Sequence, residues 1–418
     1  MVEEVPLIPF ARSLGLYQLV LLSSRGIGFL RDSMVLITLG ATSLSDDVFF
    51  LLGFTDLVTL IIAGGGASLY LSLNCKENFS SVYIPAMLFY LLIGLLFVVF
   101  EGGTGNAIGG FLYAPLVTAQ ATLSAYKILM FGFIFTFPLV VSYGYFLSVG
   151  KIHFQPIINM VYTVFSALCL MYFYIVGGFD IKLFASLILL AAFVRFFAAI
   201  IFVKWHIPVL SFDNFFENKP SFYFEMLTSG LAVGVLVSIP FVFRGYLPNF
   251  GEGVYSTSAL VFKVNDMILA LLIIPISSVV LTKYNLTVKL VVSLVGLAII
   301  VSLGLVVLLY MSIEIFPAIL VLMEDAGFSF EIIKYSVWSL LFTAVAYVLG
   351  VILVKLECQV FMLLISLSLL IFIRNPLLFD GEWGLGSYFS NFYYCYTVFI
   401  LIAFLFMSYA MSKRNHVG

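Results

Sequence analysis

Ser24-Arg25-Gly26-Ile27-Gly28-Phe29-Leu30-Arg31-Asp32 interrupts an apolar run that extends from about residue 10 to about residue 39. A helix crossing ~30 Å of hydrocarbon needs about 20 apolar residues. The run is therefore long enough to span a bilayer, and it carries charges inside. Such charges cost about 2.5 to 3.5 kcal/mol each even on insertion scales, so they face a wet cavity or one another. At a rise of about 1.5 Å per residue, Arg31 lies roughly 9 Å along the helix from Arg25. Arg25 and Asp32 fall on a common face. Gly26 and Gly28 thin the helix beside Arg25 and leave room for a bend or a bulky ligand.

The rest of the chain follows the same logic. Of its 418 residues 63% are hydrophobic and 10% charged, with a mean hydropathy of +1.19, which excludes a water-soluble fold and a disordered one. Further apolar runs, bounded by charge, Gly or Pro, start near residues 47, 81, 119, 154, 183, 222, 254, 287, 333, 358 and 392. The expected fold class is an all-α polytopic membrane protein with about twelve spans. Glu3 and Glu4 stand where a signal peptide would be basic, and no cleavage site follows, so the first run is expected to be retained. Lys182, Lys334 and Arg374 are the cations of one side, and most other loop cations lie opposite with both termini, which places the termini in the cytoplasm.

A polar connection at residues 206–220 divides the chain into an N-terminal lobe, 1–205, and a C-terminal lobe, 221–418, of six spans each. Six is even, so the halves enter the bilayer the same way round, as parallel repeats do. Asp46–Asn74 overlays Ser256–Tyr284 at an offset of 210, pairing Asp56 with Asp266 and Gly64-Gly65-Gly66 with Ile274-Pro275-Ile276. Gly64, Gly65, Gly66 and Pro275 are thus expected to soften equivalent helices.

Inside the spans lie Arg25, Arg31, Lys127, Arg195, Arg244 and Lys263 against only Asp32, Asp56 and Asp266. A cationic interior suits an anion, and the planar arginine fork suits a phosphate in particular. Plainer readings stand beside this one. Arg31, Arg244 and Lys127 lie near enough to a boundary to snorkel, and Lys263 and Asp266, flanking Asn265, can neutralise each other. The glycine-rich Gly102–Gly110 stretch lacks a Walker lysine and reads as an outer loop, so no nucleotide site is expected. Four scattered cysteines and three histidines form no metal or disulfide pattern, and no cofactor is expected beyond Na+ or H+ coupling. A net charge of -2 gives no attraction to nucleic acid.

Arg25-Gly26-Ile27-Gly28-Phe29-Leu30-Arg31-Asp32, followed by Leu39-Gly40-Ala41 and by Asp46 with Phe49-Phe50, resembles the N-terminal signature of MviN/MurJ-type lipid flippases. These belong to the multidrug/oligosaccharidyl-lipid/polysaccharide (MOP) exporter superfamily, to which Gly253-Val254-Tyr255-Ser256, Ala259 and Lys263 to Pro275 are also similar. The resemblance implies a V-shaped pair of six-helix lobes, alternating access, cavity cations at Arg25, Arg31 and Lys263, and paired acids at Asp32 and Asp46. Thr59 stands where lipid II flippases carry a basic residue, Gly64-Gly65 replaces an acidic-Gly pair, and the two extra C-terminal spans of lipid II transporters do not fit. These departures favour a Wzx-type flippase of an undecaprenyl-pyrophosphate-linked oligosaccharide in a bacterial inner membrane, with membrane lipids and glycan-assembly proteins as partners. The alternatives are a lipid II flippase, a MATE-like cation-coupled drug exporter and a glycan polymerase or ligase. Asp32, Asp56 and Asp266 are the candidate coupling sites, and Arg195 and Arg244 complete the candidate binding set.

Overall fold

The computed structural model describes residues 7–63, 65–75, 79–117, 119–151, 153–205, 220–269, 287–315, 330–356, 358–374 and 385–417. Among them there is no strand, and the helices in chain order are α1 Leu7–Leu39, α2 Ser43–Ala63, α3 Gly65–Asn74, α4 Phe79–Gly103, α5 Ala107–Leu112, α6 Gln120–Met130, α7 Gly132–Thr136, α8 Leu139–Ser148, α9 Phe154–Val176 and α10 Ile181–Lys204. There follow α11 Pro220–Arg244, α12 Val254–Ile268, α13 Val288–Ile315, α14 Phe330–Val337, α15 Ser339–Lys355, α16 Gln359–Arg374 and α17 Leu385–Val417. Among the described residues seven stretches are long and apolar enough to cross a membrane, including Phe79–Gly103, Gln120–Ser148 and Gly386–Ser412. The protein is a multi-pass membrane protein. Helices suit this setting because each satisfies its own backbone donors and acceptors, which hydrocarbon cannot.

Packing sorts the chain into two compact units. The first holds Met1–Met34, Ala67–Gly105 and Ala121–Leu227; the second holds Val35–Gly66, Asn106–Gln120 and Thr228–Gly418. Both units draw on sequence from either side of the 206–220 connection, of which 206–219 lies outside the described residues. Gly64, Pro275 and the side chain of Asp266 lie outside them too.

In the first unit, α10 packs along α9, and α4 along α7 and α8. The path from Gln120 to Ser148 is broken where Pro138, which has no N–H to donate, precedes α8. A Cβ on Gly94 would lie 2.9 Å from the Phe133 carbonyl oxygen, so α4 and α7 approach this closely only because the position carries no side chain. The loop between α9 and α10 is fixed by the Asp180 side chain, which accepts from the backbone N–H of Lys182 at 2.8 Å and of Leu183 at 3.3 Å and so caps α10. α1 continues as helix through Gly26 and Gly28.

In the second unit α12 packs against α2, α14 and α15, and α17 against α14, α15 and α16. Its core is aromatic: the Phe243 ring lies 4.5 Å from Tyr388, 4.9 Å from Phe389 and 4.1 Å from Phe392. Leu96 and Ile175 in the first unit and Ile300 and Leu405 in the second point outward instead and form part of the apolar exterior expected of helices in lipid.

Candidate functional site

The interior cations divide between the units. Arg25, Arg31 and Arg195 belong to the first; Arg244 and Lys263 belong to the second. Arg31 and Asp32 form a buried ion pair, with Nε 2.7 Å and Nη2 2.6 Å from one carboxylate oxygen. The acid therefore serves its neighbour Arg31 rather than Arg25 on the shared face, and Arg31 is buried within the unit. Arg25 is half-buried and has no carboxylate partner among the described residues. A Cβ added at Gly26 would meet nothing within 4 Å, so there is open space beside Arg25, while Gly28 packs 3.6 Å from Thr163 of α9.

Arg195 is buried among neutral groups. Its guanidinium lies 4.5 Å over the Tyr162 ring, Nη2 donates to the Thr136 hydroxyl at 3.2 Å, and Nε has no partner. Arg244 sits in a cage of rings, 4.9 Å from Phe262, 5.2 Å from Phe241 and 6.0 Å from Tyr255. Its Nη1 donates to the Ala259 carbonyl at 3.4 Å and its Nε is again unsatisfied. Ring faces attract a cation by about 0.5 to 2 kcal/mol, which offsets only part of the cost of a desolvated guanidinium. Lys263 is half-buried on α12, Asp56 is exposed on α2 and Lys127 is exposed on α6.

The most connected polar site lies where α2 meets α12. Gly253 has φ +75° and precedes α12, whose first-turn N–H groups have no partner within the helix. Asp46 supplies the acceptors: one carboxylate oxygen takes the Ser256 N–H at 2.7 Å and the other takes the Gly253 N–H at 3.0 Å. These are the two donors that a capping box satisfies from within a helix, here met by a carboxylate from a different helix. Its charge also lies at the positive end of the α12 dipole. The Ser45 and Ser256 hydroxyls are 3.2 Å apart, and Tyr113 donates to Asp47 at 2.8 Å while stacking on Phe50. Asp46 sits just ahead of the apolar run that begins at residue 47. Burial pushes its carboxyl up to about 6, the Ser256 and Gly253 bonds pull the other way, and Asp47 adds to the rise.

No family model matches the sequence, and no curated protein does either. Solved structures do. An inward-facing multidrug resistance MATE family transporter of the MOP superfamily matches with 17% identity and a TM-score of 0.62, over 96% of this chain and 99% of that one. The lipid II flippase MurJ in an inward closed conformation matches with 16% identity and a TM-score of 0.64, over 95% and 87%. A MOP superfamily transporter from Pyrococcus furiosus, whose structure points to a binding pocket of reverse polarity, matches with 12% identity and a TM-score of 0.60, over 96% and 95%. The fold is that of the MOP superfamily transporters. Among the described residues no group of three or more His, Cys, Asp or Glu could hold a metal ion.

Two features of this chain escape a reading by hydropathy. Glu101 falls where the third apolar run ends and reads as an outer-loop acid, yet it lies in α4, fully buried, and accepts from the Tyr126 hydroxyl at 2.6 Å. The Gly102–Gly110 stretch that follows is largely structured, because α4 runs on to Gly103 and α5 begins at Ala107. Tyr126→Phe, which leaves the buried carboxylate without this donor, is expected to lower stability by about 1.5 to 3 kcal/mol. Thermal unfolding in detergent measures it. The second is Asn265, buried, whose amide donates to Ser339 Oγ at 2.8 Å and to the Ser336 carbonyl at 3.2 Å, joining α12 to α14 and α15.

Proposed function

We propose that the chain is a flippase that moves an undecaprenyl-pyrophosphate-linked oligosaccharide, a surface-polysaccharide unit, from the cytoplasmic to the periplasmic leaflet of a bacterial inner membrane. The observation that carries this reading is the set Arg25, Arg195 and Arg244, guanidinium groups within apolar helices that lack a carboxylate partner among the described residues. A guanidinium without a carboxylate partner favours an anionic cargo, and the arginine fork matches phosphate geometry. Asp32 already neutralises Arg31, so in the first unit contact with the pyrophosphate falls to Arg25, and the resemblance to MurJ-type flippases adds Lys263. The polyprenyl tail stays in lipid. The proposed cycle alternates access over the twelve-span, six-plus-six plan, driven by the membrane potential or by Na+ or H+ at Asp56 or Asp266.

The Asp46 cap supports the cycle. Within the second unit it ties α2 to α12 through one carboxylate, and in the proposed cycle this contact breaks and re-forms. Positions 46 and 256, which the offset of 210 makes equivalent, touch each other here. Arg25→Ala and Lys263→Ala, made in a strain that depends on this protein, are expected to abolish surface glycan and accumulate the lipid-linked unit. Normal glycan in both variants overturns the reading. The second reading, a drug exporter, draws on the multidrug neighbour and on the exposed acid Asp56. Drug resistance on overexpression, abolished in Asp56→Asn, favours it. Transport in proteoliposomes loaded with lipid II or with a polysaccharide unit separates the two lipid cargoes.

A further inference from the structure

Away from the cations discussed so far, the second unit has a groove of about 220 Å³ between α13 and the junction of α14 with α15. Val306, Val307, Tyr310 and Met311 line one side, and Lys334 and Trp338 the other. Val307 and Met311 are each about half exposed, and Trp338 is partly exposed at the break between α14 and α15, so the groove opens on the outer surface of the unit. Its walls are apolar apart from Lys334, whose ammonium lies 5.1 Å from the Tyr310 ring centroid.

The depth of the groove follows from composition alone. Glu314 closes the apolar run of α13, and Glu331 and Lys334 precede that of α15, so Tyr310 and Lys334, with Trp338 one turn further along, lie toward the ends of these runs, near the edge of the hydrocarbon. Tyr and Trp favour this level, with ring bodies in lipid and polar tips in water. A lysine there buries its stem and raises its ammonium to the head-group layer. The groove is smaller than the roughly 300 to 1,000 Å³ of a small-molecule pocket. Its volume, open side and single cationic end fit a lipid chain beneath a phosphate.

We propose that this groove binds an anionic phospholipid of the surrounding bilayer, with one acyl chain along Val307 and Met311 and its phosphate against Lys334. A net anionic head group is preferred over a zwitterionic one, whose own cation competes with the ammonium for the phosphate. The site is independent of the cargo reading, because it uses none of the residues assigned to the pyrophosphate.

The test uses the full chain purified in detergent and titrated with phosphatidylglycerol or phosphatidylcholine, with bound lipid counted by native mass spectrometry. Wild type is expected to retain phosphatidylglycerol in preference to phosphatidylcholine. Lys334→Ala is expected to lower phosphatidylglycerol retention about fivefold, the value of one basic residue at an anionic surface. Lys334→Arg is expected to keep it. Val307→Trp, a surface change that fills the groove and leaves the charge in place, is expected to lower retention of both lipids. Equal retention of the two lipids by wild type overturns the proposal, as does phosphatidylglycerol retention unchanged by Lys334→Ala. Retention that survives Val307→Trp overturns it as well, since the chain would then lie elsewhere.

Discussion

Asp46→Ala is expected to uncap α12 and to cost about 3 kcal/mol, because two N–H groups in a buried setting lose a charged acceptor together. Asp46→Asn keeps one acceptor oxygen but turns its amide N–H toward the other donor, so its loss is expected to be intermediate. The structural readout is accessibility. Ser45 and Ser256 are fully buried at this joint, and a cysteine at either position is expected to react with a membrane-impermeant maleimide only once Asp46 has been replaced. Protection that persists in Asp46→Ala would show that the joint holds without its cap. The same carboxylate gives a pH dependence. Its value in the joint, about 6, lies above the ordinary 3.8, so the joined state binds a proton more readily than an open one. Stability from this group is fully present below 3.8 and is lost as pH rises through about 6. Wild type is therefore expected to gain stability relative to Asp46→Asn when the pH falls from 7 to 5, and a constant difference would count against the assignment.

Gly253→Ala is expected to be at least as damaging, through geometry rather than charge. A Cβ at Gly253 would lie 2.6 Å from the Ala41 carbonyl oxygen and 2.7 Å from both the Ala41 carbonyl carbon and its Cβ, and none of these atoms is a flexible side-chain end. The backbone at φ +75° adds roughly 1 to 2 kcal/mol for any residue with a Cβ. Relief would require the turn before α12 to move away from Ala41, carrying the Gly253 and Ser256 N–H groups off Asp46. The expected total is about 3 to 5 kcal/mol, in the range of severe core defects. Gly103→Ala is the control: a Cβ there meets nothing within 4 Å, and the expected change is within about 0.5 kcal/mol. Equal melting temperatures for the two variants would refute the close-approach argument.

The membrane class was legible because hydrocarbon imposes a demand that composition alone reports. The same demand marked Arg25 and Arg195 as interior cations, since each lies within an apolar run. Their partners were less legible. A rule of helix faces pairs Asp32 with Arg25, whereas the flexible Arg31 stem turns back onto the adjacent acid, a pairing that helical spacing disfavours. Glu101 misled for a related reason: hydropathy stops counting at a charge, while the helix continues and buries the carboxylate against Tyr126.

Hydropathy, read along the chain, determined that this protein is built of membrane helices with arginines inside its apolar runs, because burying apolar surface and isolating charge are properties each residue carries with it. Tertiary structure alone decided that Asp46 caps α12, that Arg195 and Arg244 lie against aromatic rings, and that the packing units cross the midpoint of the sequence. Backbone N–H donors and ring faces are present all along the chain, and they acquire partners only when folding brings distant segments together.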